Sequence, residues 1–245
     1  MNYLVDVSYD GSGYFGWAKQ PNKATIQGTI ESALKSIYKN EIKIIGSGRT
    51  DAGVHALHQH FNFKESVANI PCEKLKVILN SLLPNDIRIN SIDVVDDNFH
   101  ALHNIVKKTY EYVINTDENL DLFNNRFVYN YCKPIDEKLT NNVIKLFIGE
   151  HNFLSFSTSI LPNTVRTIYD IQVHHTNKKT WITFTGNGFL RNMVRMLVGA
   201  IIDVNENKKT LDDIIFLLNN PSKGKSNTIA PANGLYLKSA EYRFN

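Results

Sequence analysis

Two apolar periods alternate along the first hundred residues, and their order limits the possible folds more than any other feature of the chain. Tyr3-Leu4-Val5-Asp6-Val7-Ser8-Tyr9 alternates with period two, the pattern of a half-buried strand. Ile26, Ile30, Leu34 and Ile37 then recur at helical spacing, with Ala33 on the same side and Thr25 placed to cap. Ile42 to Ile45 predicts a short strand and Gln59 to Phe63 a second one. Pro71 and Pro84 bracket a helix whose inner stripe is Leu75, Ile78, Leu79 and Leu82. Ile87 to Val95 reads as a strand again. The order is β-α-β-β-α-β, that of a ferredoxin-like unit.

The remainder repeats this order with insertions. Thr109 to Ile114 predicts a strand with Tyr110, Tyr112 and Ile114 on one face, and residues 115 to 134 a loop with aromatic anchors. Asp136 caps a helix carrying Leu139, Val143, Leu146 and Phe147, which Gly149 ends. Val165 to His174 and Trp181 to Thr185 pair around Asn177-Lys178-Lys179. A helix is predicted over Phe189 to Val204, another after the capping-box-like Thr210-Leu211-Asp212-Asp213, and a last strand over Gly234 to Phe244. No low-complexity linker separates the halves. The expectation is an α+β protein of two similar halves, residues 1–103 and 104–245, packed side by side with a cleft between them.

Composition removes several function classes. No apolar run reaches the roughly 18 residues of a membrane span, and the start of the sequence has no basic segment leading into an apolar one, so no signal peptide is expected. Cys72 and Cys132 form no CxxC pair and are expected as reduced thiols in a cytoplasmic protein. The net charge of +3 permits a polyanionic partner if the cations gather on one face. Candidate phosphate contacts are Lys19, Lys23, Lys107, Lys108, Arg166, Lys223 and Lys225.

Chemistry points to Gly46-Ser47-Gly48-Arg49-Thr50-Asp51-Ala52-Gly53-Val54-His55-Ala56. Three glycines in eight residues cost conformational entropy, which suits a shaped loop presenting a cation and a carboxylate to a ligand. The plainer alternative is a turn with two solvated charges. A second glycine-rich stretch, Asp10 to Trp17, carries Tyr14, Phe15 and Trp17, either as caps on the core or as a wall for a flat ring. Asp51 with His55, His58 and His60 reads D-x-x-x-H-x-x-H-x-H, which raises a metal-dependent phosphohydrolase; His55 is expected in the loop, His58 and His60 share a strand face, and no HExxH or zinc spacing accompanies them. Arg191 and Arg195, four residues apart, are expected on one face of an otherwise apolar helix, where a buried arginine needs a partner.

The string Gly48 to Ala56, GRTDAGVHA, closely resembles the signature of the tRNA pseudouridine synthase A family. Tyr9 to Gln20 resembles that family's YDGSxYxGWxxQ pattern, departing at Ala18, where glutamine is common; Gln27 also matches, after Thr-Ile in place of Thr-Val. Phe99-His100-Ala101 resembles its DFHAR segment, with Leu102 in the place of arginine, and Asn152 to Phe156 its NDFTSF element. The resemblance runs from Tyr9 to Leu237. It implies the pseudouridine synthase fold, two RRM-like halves forming an extended, mostly antiparallel sheet around a central active-site cleft, and no cofactor or metal. It implies isomerisation of uridine to pseudouridine at positions 38, 39 and 40 of the tRNA anticodon arm, by a homodimer. Asp51 falls on the catalytic aspartate, with Arg49 beside it. Phe189 to Arg195 resembles the helix that supplies an arginine, which makes Arg195 the expected partner of Asp51. Tyr110 matches the pocket tyrosine and Leu235 an apolar pocket residue. The remaining alternative is an RNA-binding relative of the same fold without catalysis.

Overall fold

The computed structural model describes residues 1–65 and 70–243. The chain divides into two compact units, Met1–Val106 with Tyr236–Asn245, and Lys107–Leu235.

In the first unit the strands are β1 (Asn2–Tyr9), β2 (Ile45–Gly46), β3 (His55–Lys64), β4 (Ile87–Val95) and β10 (Leu235–Tyr242). Their order is β4-β1-β3-β10, with β2 beside β3. β1 is antiparallel to both neighbours, while β10 runs parallel to β3, with Tyr236 opposite His55 and Leu237 opposite Ala56. Helix α1 (Ile26–Tyr38) starts where Thr25 accepts a hydrogen bond from the Gly28 N–H, a cap that contributes about 1 kcal/mol. Its stripe Ile26, Ile30, Ala33 and Leu34 is buried. Helix α2 (Cys72–Leu82) follows Pro71 and buries Leu75 and Leu79. Tyr3 stacks on Phe63 at 5.1 Å between ring centres within this core. Fully burying each such large apolar side chain stabilises the unit by about 1.5–3 kcal/mol.

Two local expectations are corrected here. Ile42 to Ile44 is not a strand; only Ile45–Gly46 pairs with β3. The main chain at Ile44 is satisfied by helix side chains instead, its N–H donating to Glu31 (3.3 Å) and its carbonyl accepting from Gln27 (3.4 Å). Strand β3 begins at His55, so His55 belongs to a strand and not to the loop. Phe99-His100-Ala101 is largely scaffold. Phe99 and Ala101 are buried against Leu4, and the buried Asn2 and Asn62 hold the main chain of Phe99 and Ala101.

The second unit carries β5 (Ile105–Asn115), β6 (Tyr129–Asn130), β7 (Gly149–Asn152), β8 (Val165–His175) and β9 (Lys179–Gly186). The order is β5-β9-β8-β7, all antiparallel, with β6 parallel to β5 inside the stretch expected to be loop. Helix α3 (Glu137–Phe147) is capped by Asp136 and packs against α4 (Met193–Asn205) and α5 (Leu211–Asn219). Helix α5 opens on the expected capping box, with Thr210 and Asp213 bonded reciprocally. Gly149 does not end α3, which closes at Phe147; it opens β7 with a φ of +108° that suits glycine. Phe244, the end of the last expected strand, lies outside the described residues.

At the end of α4, Glu206 sits between Lys133 (2.7 Å), Lys208 (2.6 Å) and the Tyr131 hydroxyl (3.2 Å). The bonds from Lys133, then Lys208, pull its carboxyl down to about 2. A folded-state value below the unfolded one gives stability that is present above the ordinary carboxylate range and lost as pH falls through about 2. Thermal melts are therefore expected to drop between pH ~4.5 and ~2, and Glu206→Gln to remove that part of the drop. The effect is a few degrees at most, since both lysines are exposed.

Candidate active site

In the first unit the loop between β2 and β3 is held from both sides. Ser47 donates its hydroxyl to Gln59 Oε1 (2.7 Å), and Gln59, fully buried on β3, donates its amide to the Gly48 carbonyl (2.9 Å). Thr50 is pinned twice, its hydroxyl 2.8 Å from that of Tyr9 and its carbonyl accepting from Trp17 N–H at 3.1 Å. Thr50 is buried between an exposed Arg49 and a half-exposed Asp51. Pinning the middle residue inward turns its two neighbours toward solvent, and so presents the cation and the carboxylate side by side.

The aromatic glycine stretch is the other jaw of this clamp. A Cβ on Gly46 would lie 2.5 Å from the Trp17 indole nitrogen, and one on Gly16, where φ is +88°, only 2.6 Å from the Thr50 carbonyl oxygen. Trp17 is buried, with its ring centre 6.1 Å from those of Tyr9 and Phe61. Of the two readings offered by the sequence, Trp17 follows the core one. Phe15 is exposed, with the Lys23 ammonium 4.6 Å from its ring centre.

The histidines go separate ways. His55 is buried, takes a hydrogen bond from Gly11 N–H at Nδ1 (3.1 Å) and stacks on Tyr236. His58 is exposed, with Nδ1 2.8 Å from Asp6. His60 packs edge-on against Tyr242, and burial lowers its pKa. Among the described residues no three His, Cys, Asp or Glu side chains are grouped as metal ligands would be.

In the second unit Tyr110 and Tyr112 share one face of β5, and the charge of Arg195 acts on Tyr112. Tyr110, nearly buried on β5, meets Phe189 edge-on at 5.2 Å. Tyr112, two residues along the same face, donates its hydroxyl to the Pro231 carbonyl (2.7 Å), and burial raises its pKa well above the ordinary phenol value. Gly234 is required where it stands, since a Cβ would sit 2.7 Å from the Val113 carbonyl oxygen and 2.9 Å from the Tyr112 ring; Leu235 follows it, buried.

Arg195 brackets the segment that leads to Leu235. Its Nε donates to the Ala230 carbonyl (2.7 Å), while its own carbonyl accepts from Ala230 N–H (3.1 Å). One face shared by Arg191 and Arg195 is not found. Asn192 takes a left-handed conformation with φ 59°, so α4 starts at Met193 and Arg191 stands outside it. Asparagine tolerates that conformation, and two bonds fix it here, Asn192 to Thr158 (2.9 Å) and Arg195 Nη1 to Asn192 Oδ1 (3.0 Å). The apolar period of Leu190, Met193, Val194 and Leu197 runs through the break and conceals it. Sequence reasoning also missed Gln59, Thr50 and Tyr112; a buried glutamine or threonine leaves no periodic trace.

The profile of the family described as tRNA pseudouridine synthase matches residues 7–104 and 143–243. The chain belongs to the tRNA pseudouridine synthase family. Its relatives include proteins named tRNA pseudouridine synthase A from Ureaplasma urealyticum, 44% identical over 99% of this chain and 100% of that one, and from Malacoplasma penetrans, 47% identical over 97% and 98%. Another of that name, from Caldicellulosiruptor bescii, is 40% identical over 98% of this chain and 99% of its own.

Proposed function

We propose that the chain is a tRNA pseudouridine synthase of the A type, converting uridine to pseudouridine in the anticodon arm at positions 38, 39 and 40, with Asp51 as the catalytic residue. The observation that supports this most is the placement of Asp51. It projects from a loop clamped at Ser47, Gly48 and Thr50, inside a sequence that matches full-length relatives of that name.

The reaction breaks the C1′–N1 bond, turns the uracil and joins C5 to C1′. C5 loses its hydrogen and N1 gains one, so no redox change occurs. A carboxylate serves by attacking C1′ or C6, or by taking the C2′ proton, and each route needs Asp51 ionised. Tyr110 is the proposed stacking partner of the extruded uracil, and Leu235 its apolar neighbour. Arg49 and Arg195 are the proposed cations toward substrate. Sites at three neighbouring positions differ in space, so recognition reads arm shape and backbone rather than base sequence. A homodimer, with one tRNA reaching across two copies, would lengthen the basic groove that a chain of net charge +3 can offer.

Tritium release tests the reading. From tRNA carrying 5-tritiated uridine, the chain is expected to release tritium with a strong chelator present, because C5 gives up its hydrogen only when it becomes the attachment point. No release from any tRNA with a uridine in the anticodon arm would remove the isomerase reading; release abolished by chelator would favour a metal-dependent reaction.

A further inference from the structure

Two cations of the second unit stand at one end of the face that carries Tyr110. Residues alternate across β5, so Lys108, Tyr110 and Tyr112 share a face, opposite Gly186, Phe184 and Ile182 of β9. Thr109 and Glu111 lie on the other face, 3.2 Å and 3.4 Å from the hydroxyls of Thr185 and Thr183. The residue across from Lys108 is thus a glycine, with no side chain to cover it. A Cβ there would meet the Thr167 carbonyl oxygen at 2.7 Å and the Phe189 ring at 3.4 Å, and Phe189 is the ring that touches Tyr110.

Arg166 closes the same corner from β8. Its Nε and Cδ lie 3.8 and 3.9 Å from where a Cβ on Gly188 would stand. The guanidinium is oriented by its own turn, Nη1 donating to the carbonyls of Val165 (2.6 Å) and Asn163 (3.4 Å), which are neutral acceptors. Arg166 and Lys108 feel each other's charge: burial first, and then Arg166, push the Lys108 ammonium down to about 8, and burial also lowers Arg166. An anion bound in that corner would meet both cations at once.

We propose that Lys108 and Arg166 form one seat for a single backbone phosphate of the RNA, next to the uridine whose base rests on Tyr110. This rests on the synthase reading above and adds a recognition element to it. A phosphodiester suits the corner, since arginine offers a planar fork and lysine a point charge to its two free oxygens. The glycine at 188, beyond the end of β9, leaves room beside Arg166 for the ribose backbone to approach.

The experiment is tRNA binding by fluorescence anisotropy across a salt series, for the unaltered chain, Lys108→Gln, Arg166→Gln and the double variant, with melts to verify folding. Each single variant is expected to weaken binding about tenfold on every tRNA tested. The double variant is expected to lower the salt slope by about one, the signature of one lost phosphate contact. An unchanged slope, or a fall of about two that reports separate phosphates, would overturn the shared seat. If a variant does not fold, the unaltered chain decides. In an anticodon stem-loop with single phosphates replaced by neutral methylphosphonate, one position beside the target uridine should cost about tenfold, and a flat scan would overturn the proposal. Tritium release separates the two readings: a chain that shows the phosphate signature without releasing tritium keeps the seat and loses the isomerase function, whereas release with a flat scan loses the seat alone.

Discussion

Asp51→Ala is expected to release tritium from 5-tritiated tRNA about a thousandfold more slowly than the unaltered chain, or not at all, and Asp51→Asn is expected to be equally inactive. Three orders of magnitude correspond to about 4 kcal/mol of transition-state stabilisation, within reach of one positioned carboxylate at a bond that separates charge as it breaks. The asparagine variant keeps the size and removes the charge, so it separates chemistry from shape. The bonds described above that hold the loop belong to Ser47, Thr50, Gln59 and the main chain. Melts of each variant establish that a lost rate is read on a folded chain. A variant that kept more than a tenth of the rate would remove Asp51 from the catalytic role.

The second large effect lies far from Asp51 in sequence and is one of stability. Asp203 of α4 is buried, pairs closely with Lys209 and accepts a hydrogen bond from the Thr228 hydroxyl at 2.6 Å. Lys209 also donates to the Ser226 carbonyl at 2.8 Å. Gly199, one turn earlier, lets this segment lie close, since a Cβ there would stand 2.3 Å from the Thr228 carbonyl oxygen. Asp203→Ala leaves the Lys209 ammonium poorly compensated and is expected to cost about 3 kcal/mol, at the low end for a broken buried pair because Lys209 keeps some access to water. In a chain of this size that is a melting temperature lower by about 6–12 °C. Asp203→Asn keeps an acceptor for Thr228 and should lose less. The segment runs on to Ala230, so hydrogen exchange at the Ala230 N–H, which bonds to the Arg195 carbonyl, should speed up together with the melting change. A melting temperature within about 2 °C of the unaltered chain would show that the pair does not hold this segment.

Residue patterns announced most elements wherever one local rule acted without competition. The period of Ile26, Ile30 and Leu34 behind a threonine cap and the capping box at Thr210 emerged as written, and the helix between Pro71 and Pro84 formed with Leu75 and Leu79 buried, although Leu82, expected on the same inner stripe, is exposed at its end. The Gly48–Ala56 string placed Arg49 and Asp51 on one loop. What stayed hidden depends on partners distant in sequence. Ile42 and Ile44 look like strand residues because both are buried, but the main chain of Ile44 is met by Gln27 and Glu31 of a helix. His55 looks like loop because glycine precedes it closely, but it pairs with Tyr236 and begins a strand. The start of α4 is set by the left-handed Asn192, and no periodicity argument sees a one-residue change of hand inside an apolar run. Trp17 read equally well as pocket wall and as core; only its contacts with Tyr9 and Phe61 decide.

The parallel pairing of β10 with β3 has a consequence for biosynthesis. The strand that flanks His55 and Ala56 is encoded about 180 residues after them. At roughly 5–20 residues per second on the ribosome, the nascent first unit waits some ten to forty seconds with that edge of its sheet open. An open edge is a template for unwanted pairing. The chain can gain the stacking of Tyr236 on His55 only when translation has passed residue 236, so the unit that carries Asp51 is completed late, after almost all of the second has been made.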